Sequence, residues 1–256
     1  MIRESEPLQP SQGSVGSIRL AASQCAPDSP ELVQWYQAYS ANHQHRLALD
    51  LHLIGDHLPK DTRLLEVGCI PPILTAALKQ AGWDVRGVDI APERFSQCIK
   101  ALDLRVLKCD IERDPLPMGD DSVDAVLFNE IFEHLRINPI FTLSEVHRVL
   151  RPGGALLLST PNLRSLGGIR NFLIHERAFS CCSDLYTEYD KLAKLGHMGH
   201  VREYTVLEVS DFLTKLGFTP EKVVFRGSYK GLTSRTAIRL APSLRPFFSL
   251  VARKAP

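Results

Sequence analysis

From Asp61 onward the chain alternates short apolar runs with amphipathic ones, and this alternation limits the fold more than any other feature. Arg63–Gly68 (RLLEVG), Asp84–Ile90 (DVRGVDI), Arg105–Ile111, Asp124–Asn129 and Ala155–Thr160 (ALLLST) read as strands. Between them, Ile73–Ala81, Pro92–Leu102 and Ile140–Leu150 have helical spacing. The first ends at Gly82, the second opens on a proline, and the third stops before Pro152-Gly153-Gly154. After Thr160 the rhythm fails for about forty residues, longer than an ordinary connection. It resumes with a helix over Val206–Leu216 and strands near Lys222–Arg226 and Phe247–Arg253. Seven apolar strands joined by helices predict an α/β fold: a doubly wound, mostly parallel seven-stranded sheet with helices on both faces.

Composition narrows the function classes. The 256 residues can bury a full core without staples, and a net charge of +1 gives no global reason to expect nucleic acid. No window reaches the roughly 18 apolar residues of a membrane span. The six cysteines form no C-x-x-C pair. Adjacent Cys181 and Cys182 are either a strained redox pair or inert, and reduced thiols suit a cytoplasmic protein. Residues 1–30 carry four prolines and no apolar h-region, so they read as a disordered lead-in rather than a secretory signal. Residues 221–256 hold eight basic side chains and one acidic one. That stretch suits an anionic substrate, a membrane surface, a partner or simply a solvated face.

In open α/β sheets ligands lie outside the carboxyl ends of strands. Three strand ends here are polar: Glu66-Val67-Gly68-Cys69-Ile70-Pro71-Pro72, then Asp89, 21 positions after Gly68, then Asp110-Ile111. An acid at that offset suits a ribose. A pyrophosphate cofactor is disfavoured, because the loop has one glycine and Pro71 and Pro72 each lack an N–H donor. S-adenosyl-L-methionine, with a ribose, an adenine and a sulfonium but no phosphate, fits instead.

These residues resemble the class I S-adenosylmethionine-dependent methyltransferases over roughly residues 60–220. Glu66-Val67-Gly68 is similar to the start of that family's glycine motif, whose second and third glycines fall here on Ile70 and Pro72. Ser122–Val126 and Leu150–Gly154 resemble its fourth- and fifth-strand markers. The resemblance implies a Rossmann-like sheet and a single domain over 31–256. Within it, 31–60 is an N-terminal helical segment and 161–200 a lid-like insertion. It also implies that Glu66, Gly68, Cys69, Asp89, Ile90, Asp110, Ile111 and Asn129 contact the cofactor. Asp89 would take both ribose hydroxyls, and Asp110 and Ile111 would read and cover the adenine.

The acceptor side is expected after the fourth strand, in Asn129-Glu130-Ile131-Phe132-Glu133-His134-Leu135. A hydroxyl acceptor needs a base, and His134 beside Glu133 is the natural one. If this stretch is helical, Glu130, Glu133 and His134 share a face. The trio also resembles the E-x-x-E-H of ubiquinone-type O-methyltransferases, where it holds a divalent metal; a metal is nevertheless not expected here. His197, His200, Arg202 and Tyr204 resemble the family's H-x-R-x-Y/F-[ST] element and are expected at the substrate. A His197/His200 zinc site is disfavoured, since no third ligand stands at metal-like spacing. Trp35, Tyr36, Tyr39, His43 and His45 form either a second wall of the pocket or an ordinary packed helix face. The expected function is methyl transfer to a small molecule, a glycan or a lipid-linked intermediate. Transfer to oxygen is the main reading. Transfer to nitrogen or carbon, and a non-catalytic cofactor-binding relative, are the alternatives.

Overall fold

The computed structural model describes residues 3–5, 9–182, 184–195 and 199–255. Its elements begin with β1 (Arg3–Ser5), α1 (Gln12–Gln24), α2 (Val33–His57), β2 (Arg63–Val67), α3 (Ile73–Gln80), β3 (Asp84–Asp89), α4 (Ser96–Ala101) and β4 (Arg105–Lys108). Then come β5 (Val123–Asn129), α5 (Pro139–Val149), β6 (Leu150–Pro161), α6 (Leu166–His175) and α7 (Leu185–Leu195). The chain closes with α8 (Val206–Lys215), β7 (Phe218–Arg226), α9 (Leu232–Leu240) and β8 (Phe247–Lys254). The strand order is β1-β7-β8-β6-β5-β2-β3-β4. All seven expected strands are present as β2–β8, and β1 adds an eighth beside β7. The sheet is mostly parallel; β8 runs antiparallel to both β6 and β7.

The chain divides into two compact units. One comprises Gln9–Leu127 and Arg148–Arg151. In it β2, β3 and β4 pair in parallel, with Val67 opposite Val88 and Asp89 opposite Lys108. Leu64, Leu65, Val67, Val85 and Val88 are buried on these strands, and Ile73, Leu74, Ala77 and Leu78 on α3. Such near-continuous burial is the signature of a parallel strand covered on both faces. α1 and α2 belong to this core through Ile18, Ala21, Leu47, Leu49, Leu53 and Ile54.

The lead-in is therefore ordered from Gln12, contrary to the expectation of disorder. Ser11 caps α1 by accepting from the Ser14 N–H at 3.0 Å. The Tyr36 hydroxyl donates to the Ala22 carbonyl at 2.7 Å, and Asp28 accepts from the Ser96 and Gln97 N–H groups. Tyr36 is buried against Phe95, so it packs the core, while Trp35, Tyr39 and His43 stack along the outer part of α2.

The other unit comprises Met1–Leu8, Phe128–His147 and Pro152–Pro256. Here β6, β7 and β8 form an antiparallel group around buried Leu156, Leu158, Val223, Phe225, Phe248 and Leu250. β6 starts at Leu150, earlier than expected, because Pro152-Gly153-Gly154 lies inside the extended run. The forty residues with no legible rhythm contain α6 and α7. α8 is capped by Thr205 and Glu208, each side chain bonding the other's backbone N–H, a reciprocal capping box.

Candidate active site

The first cluster lies at the carboxyl ends of β2, β3 and β4. Their register sets Gly68, Asp89 and Asp110 along one edge of the strands. Gly68 turns the chain at φ 70°, a left-handed conformation that favours glycine. The Asp89 carboxylate is half-buried and held from two sides. Its Oδ2 accepts from the Ile70 N–H at 3.0 Å and its Oδ1 from the Ala91 N–H at 2.9 Å. Burial pushes its pKa up, against those two hydrogen bonds. Each oxygen keeps a second lone pair, the arrangement that two neighbouring hydroxyl donors require.

Glu66 is buried on β2, where the Thr75 hydroxyl donates to it at 2.5 Å; burial raises its pKa to about 8. Cys69 is buried, and burial pushes its thiol up. Ile90 and Ile111 are half-buried beside the acids. Asp110 opens a turn by accepting from the Glu112 N–H at 3.2 Å.

The loop's own donors are spent inside the chain. The Gly68 and Cys69 N–H groups donate to the Val88 carbonyl, that of Ile70 to Asp89, and that of Ile73 to the Pro71 carbonyl. With Pro71 and Pro72 lacking an N–H, this loop has no row of donors for a pyrophosphate. A phosphate-free nucleoside held by carboxylates fits the residues present.

The second cluster lies in the other unit. Phe132–His134 forms a single 3-10 turn rather than an α-helix, and Glu130 precedes it at φ 55°. Glu130, Glu133 and His134 therefore do not share a face. The Glu130 carboxylate goes to buried Arg226 at 2.6 Å and to the Ser159 hydroxyl at 2.8 Å. Glu133 is buried, and the Thr160 hydroxyl donates to its Oε2 at 2.9 Å. Its Oε1 is buried with no hydrogen-bond partner among the described residues. Burial, then the Glu130 charge, raises the Glu133 pKa to about 8.

The His134 Nδ1 lies 3.0 Å from the Gly199 carbonyl. A carbonyl accepts only, so Nδ1 carries the proton and the neutral ring has its lone pair on Nε2. Gly199 itself lies against α7: a Cβ there would meet the Glu188 carbonyl oxygen at 2.0 Å, so the position that presents this carbonyl has no room for a side chain. The His200 ring stands edge-on to His134, 4.8 Å between centroids. Asn129, at the end of β5, is half-buried beside Glu130 in the chain.

Of the other expected substrate contacts, His197 lies outside the described residues. Arg202 stacks on Tyr204 and pairs with Glu208 at 2.5 Å. Tyr204 packs on Phe132, ring centroids 4.5 Å apart. His200 turns to Glu203, whose Oε1 is 3.3 Å from Nδ1. Thr160, Glu188, Glu203, Cys181 and Cys182 join this region without having been expected there; only the His-x-x-Glu spacing of 200 and 203 hinted at it.

Residues 65–158 match a protein family described as a methyltransferase domain. An uncharacterized methyltransferase of Mycobacterium tuberculosis is 37% identical over 94 residues, 37% of each chain. A ubiquinone biosynthesis O-methyltransferase of Xanthomonas campestris is 32% identical over 108 residues, 39% of this chain and 43% of that one. The match thus spans about two fifths of these relatives' length. Among solved structures, a S-adenosylmethionine-dependent methyltransferase of Thermotoga maritima, described as a possible histamine N-methyltransferase, superposes with a TM-score of 0.58 at 20% identity, covering 88% of this chain and 97% of that one. The chain has the class I S-adenosylmethionine-dependent methyltransferase fold. A 1,6-didemethyltoxoflavin-N1-methyltransferase of Burkholderia thailandensis, solved with bound 1,6-didemethyltoxoflavin and S-adenosylhomocysteine, shares that fold over 98% of this chain and 93% of its own, at TM-score 0.56 and 16% identity. Within this methyltransferase fold, Glu66, Gly68 and Asp89 sit where a strand-end cofactor site is expected.

Proposed function

We propose that the chain is an S-adenosylmethionine-dependent methyltransferase that modifies a hydroxyl of a small molecule, a glycan or a lipid-linked intermediate. One observation carries this reading: Asp89 at the end of β3, its two oxygens fixed by the Ile70 and Ala91 N–H groups beside the Gly68 turn. The cofactor supplies a methyl group already activated on a sulfonium. Asp89 would hold the ribose hydroxyls and orient that carbon, while Asp110 and Ile111 would hold the adenine. Glu66, Gly68, Cys69 and Ile90 complete the set, Cys69 through its backbone because its side chain is buried.

On the acceptor side the chain's task is to place an oxygen nucleophile and remove its proton. The tautomer that the Gly199 carbonyl selects gives His134 a basic Nε2, and burial holds Glu133 largely protonated near neutral pH. Tyr204 supplies an aromatic wall. Segment 161–200 would cover the acceptor, and its surface favours an apolar one: Phe172, Leu173 and Ile174 of α6 are all more than half exposed. No helix among the described residues is long and apolar enough to cross a membrane.

The reading is tested by calorimetry with S-adenosylmethionine. Asp89→Ala is expected to weaken binding by about 1.5–3 kcal/mol, the range for a hydrogen bond to a charged group. Unchanged affinity in a folded variant removes Asp89 from the site. No saturable binding by the wild type removes the methyltransferase reading with it.

A further inference from the structure

Among the described residues outside the strand-end cluster, Cys181, Cys182, His200 and Glu203 form a group of four metal-ligating side chains whose donor atoms lie within 4.8 Å of one another. They come from two segments of one unit. Cys181 and Cys182 follow α6, and His200 and Glu203 precede α8. Three of them converge on one oxygen of the fourth. Glu203 Oε1 is 3.1 Å from the Cys181 Sγ, 3.3 Å from the Cys182 Sγ and 3.3 Å from the His200 Nδ1; the Cys181 Sγ is 3.9 Å from that nitrogen. A tetrahedral zinc ion with bonds of about 2.3 Å to sulfur and about 2.0 Å to nitrogen and oxygen has ligand–ligand edges of about 3.3–3.8 Å. These four separations are already close to those edges, and the other two pairs of donor atoms lie within 4.8 Å.

We propose that Cys181, Cys182, His200 and Glu203 form a tetrahedral site for a thiophilic divalent cation of the zinc class. The surroundings are those of a built site. Glu203 is buried, and its second oxygen accepts from both the N–H and the hydroxyl of Ser180, which fixes the carboxylate. The His200 backbone N–H donates to buried Glu188 at 2.9 Å, which fixes the histidine. Such outer partners orient metal ligands.

An entry path exists through a cleft of about 480 Å³ lined by Arg170, Asn171, His175, Arg177, Ser180 and the two cysteines. Two thiolates and a carboxylate around a divalent ion leave one net negative charge, which those arginines complement. Two sulfurs favour zinc or cadmium over magnesium or calcium. The neighbouring group of Glu133, His134 and His200 offers no sulfur, and its His134 Nδ1 already serves the Gly199 carbonyl. On binding, each thiol forms a metal–sulfur bond and releases its proton to solvent, so uptake acidifies an unbuffered solution. Four protein ligands close the coordination shell, which makes the ion a structural clamp across residues 181–203 rather than a catalyst.

The test uses the full chain, purified reduced and stripped of metal, then titrated with Zn²⁺ and with Co²⁺. One equivalent of Zn²⁺ bound with proton release, and a Co²⁺ spectrum with tetrahedral d–d bands and thiolate charge transfer, are expected. Cys181→Ser/Cys182→Ser should weaken Zn²⁺ binding by about 100-fold or more, and Ser180→Ala by about 10-fold, as an outer partner does. Cys25→Ser should leave it unchanged. Because the Co²⁺ spectrum reads sulfur ligation in the wild type, the result does not depend on a variant folding. Octahedral Co²⁺ without sulfur charge transfer, or substoichiometric Zn²⁺, would each overturn the proposal.

Discussion

The Gly199 carbonyl on the His134 Nδ1 decides which nitrogen of that imidazole can act as a base. If the acceptor is a hydroxyl, His134→Ala is expected to lower kcat by roughly 10²–10⁴ while leaving cofactor affinity nearly intact. The ascending limb of the wild-type pH–rate profile should disappear in the variant. A merely structural histidine predicts a different result: activity, cofactor binding and melting temperature falling together. Equal rates across the pH range would leave His134 without a chemical role. At this scale the sequence was most legible where chemistry is tied to a strand end. Asp89 and Asp110 stand out by their offset from Gly68, and parallel register places them together. It was least legible where partners meet by tertiary closure. Nothing in the spacing of Cys181 and Cys182 says that they meet His200 and Glu203, since the intervening path depends on α7. Glu130 shows the reverse: sequence spacing grouped it with Glu133 and His134, but the ion pair with Arg226, 96 positions away, took its carboxylate.

Among the elements, strands and crossover helices follow the expected pattern because each is a local apolar run in a repeated context. α1 does not. Of its thirteen residues, Ile18 and Ala21 are the buried ones, so its periodic signal is weak beside the prolines that flank it. Order there comes from α2, α3 and the contacts of Tyr36 and Asp28, all of which are tertiary. Isolated helices of this length are marginal in water, so burial of one face has to supply the stability. Ile18 is 1% exposed. Ile18→Ala is therefore expected to cost about 2–5 kcal/mol in urea unfolding, the range for a truncated core aliphatic. A disordered lead-in would lose nothing, so a change under about 0.5 kcal/mol, the usual size for a surface substitution, would contradict this placement.

Across the whole molecule, charge is used more for internal clamping than composition suggests. The basic C-terminal stretch spends Arg226 on Glu130, Arg245 on the Gly227 carbonyl and Arg253 on Glu221. What remains for an external anionic surface is smaller than eight charges. A clamp of three chain segments lies at the opposite ends of the strands from Asp89 and joins positions distant in sequence. Asp124 of β5 receives the Arg63 N–H at 2.8 Å, the Arg63 guanidinium in a fork at 2.9 and 3.0 Å, and Arg151 at 2.6 Å. It thereby ties the starts of β2 and β6 to β5. The Arg63 side-chain hydrogen bonds are the largest influence on its carboxyl, pulling its pKa from the ordinary 3.8 down to about 2. With that sign, the unfolded chain binds the proton more readily than the folded one between the two values. The stabilisation is complete above the unfolded pKa and is lost as pH falls through the folded one. The shift corresponds to about 2 kcal/mol at low ionic strength, with the partly exposed Arg63 making it sensitive to salt. Asp124→Asn should therefore lower stability by about that amount at pH 7 and remove part of the loss seen between pH 4 and 2. Unfolding curves of both proteins across that window measure it directly. Parallel curves with a constant offset would mean that the carboxylate's charge is not what holds the three strands.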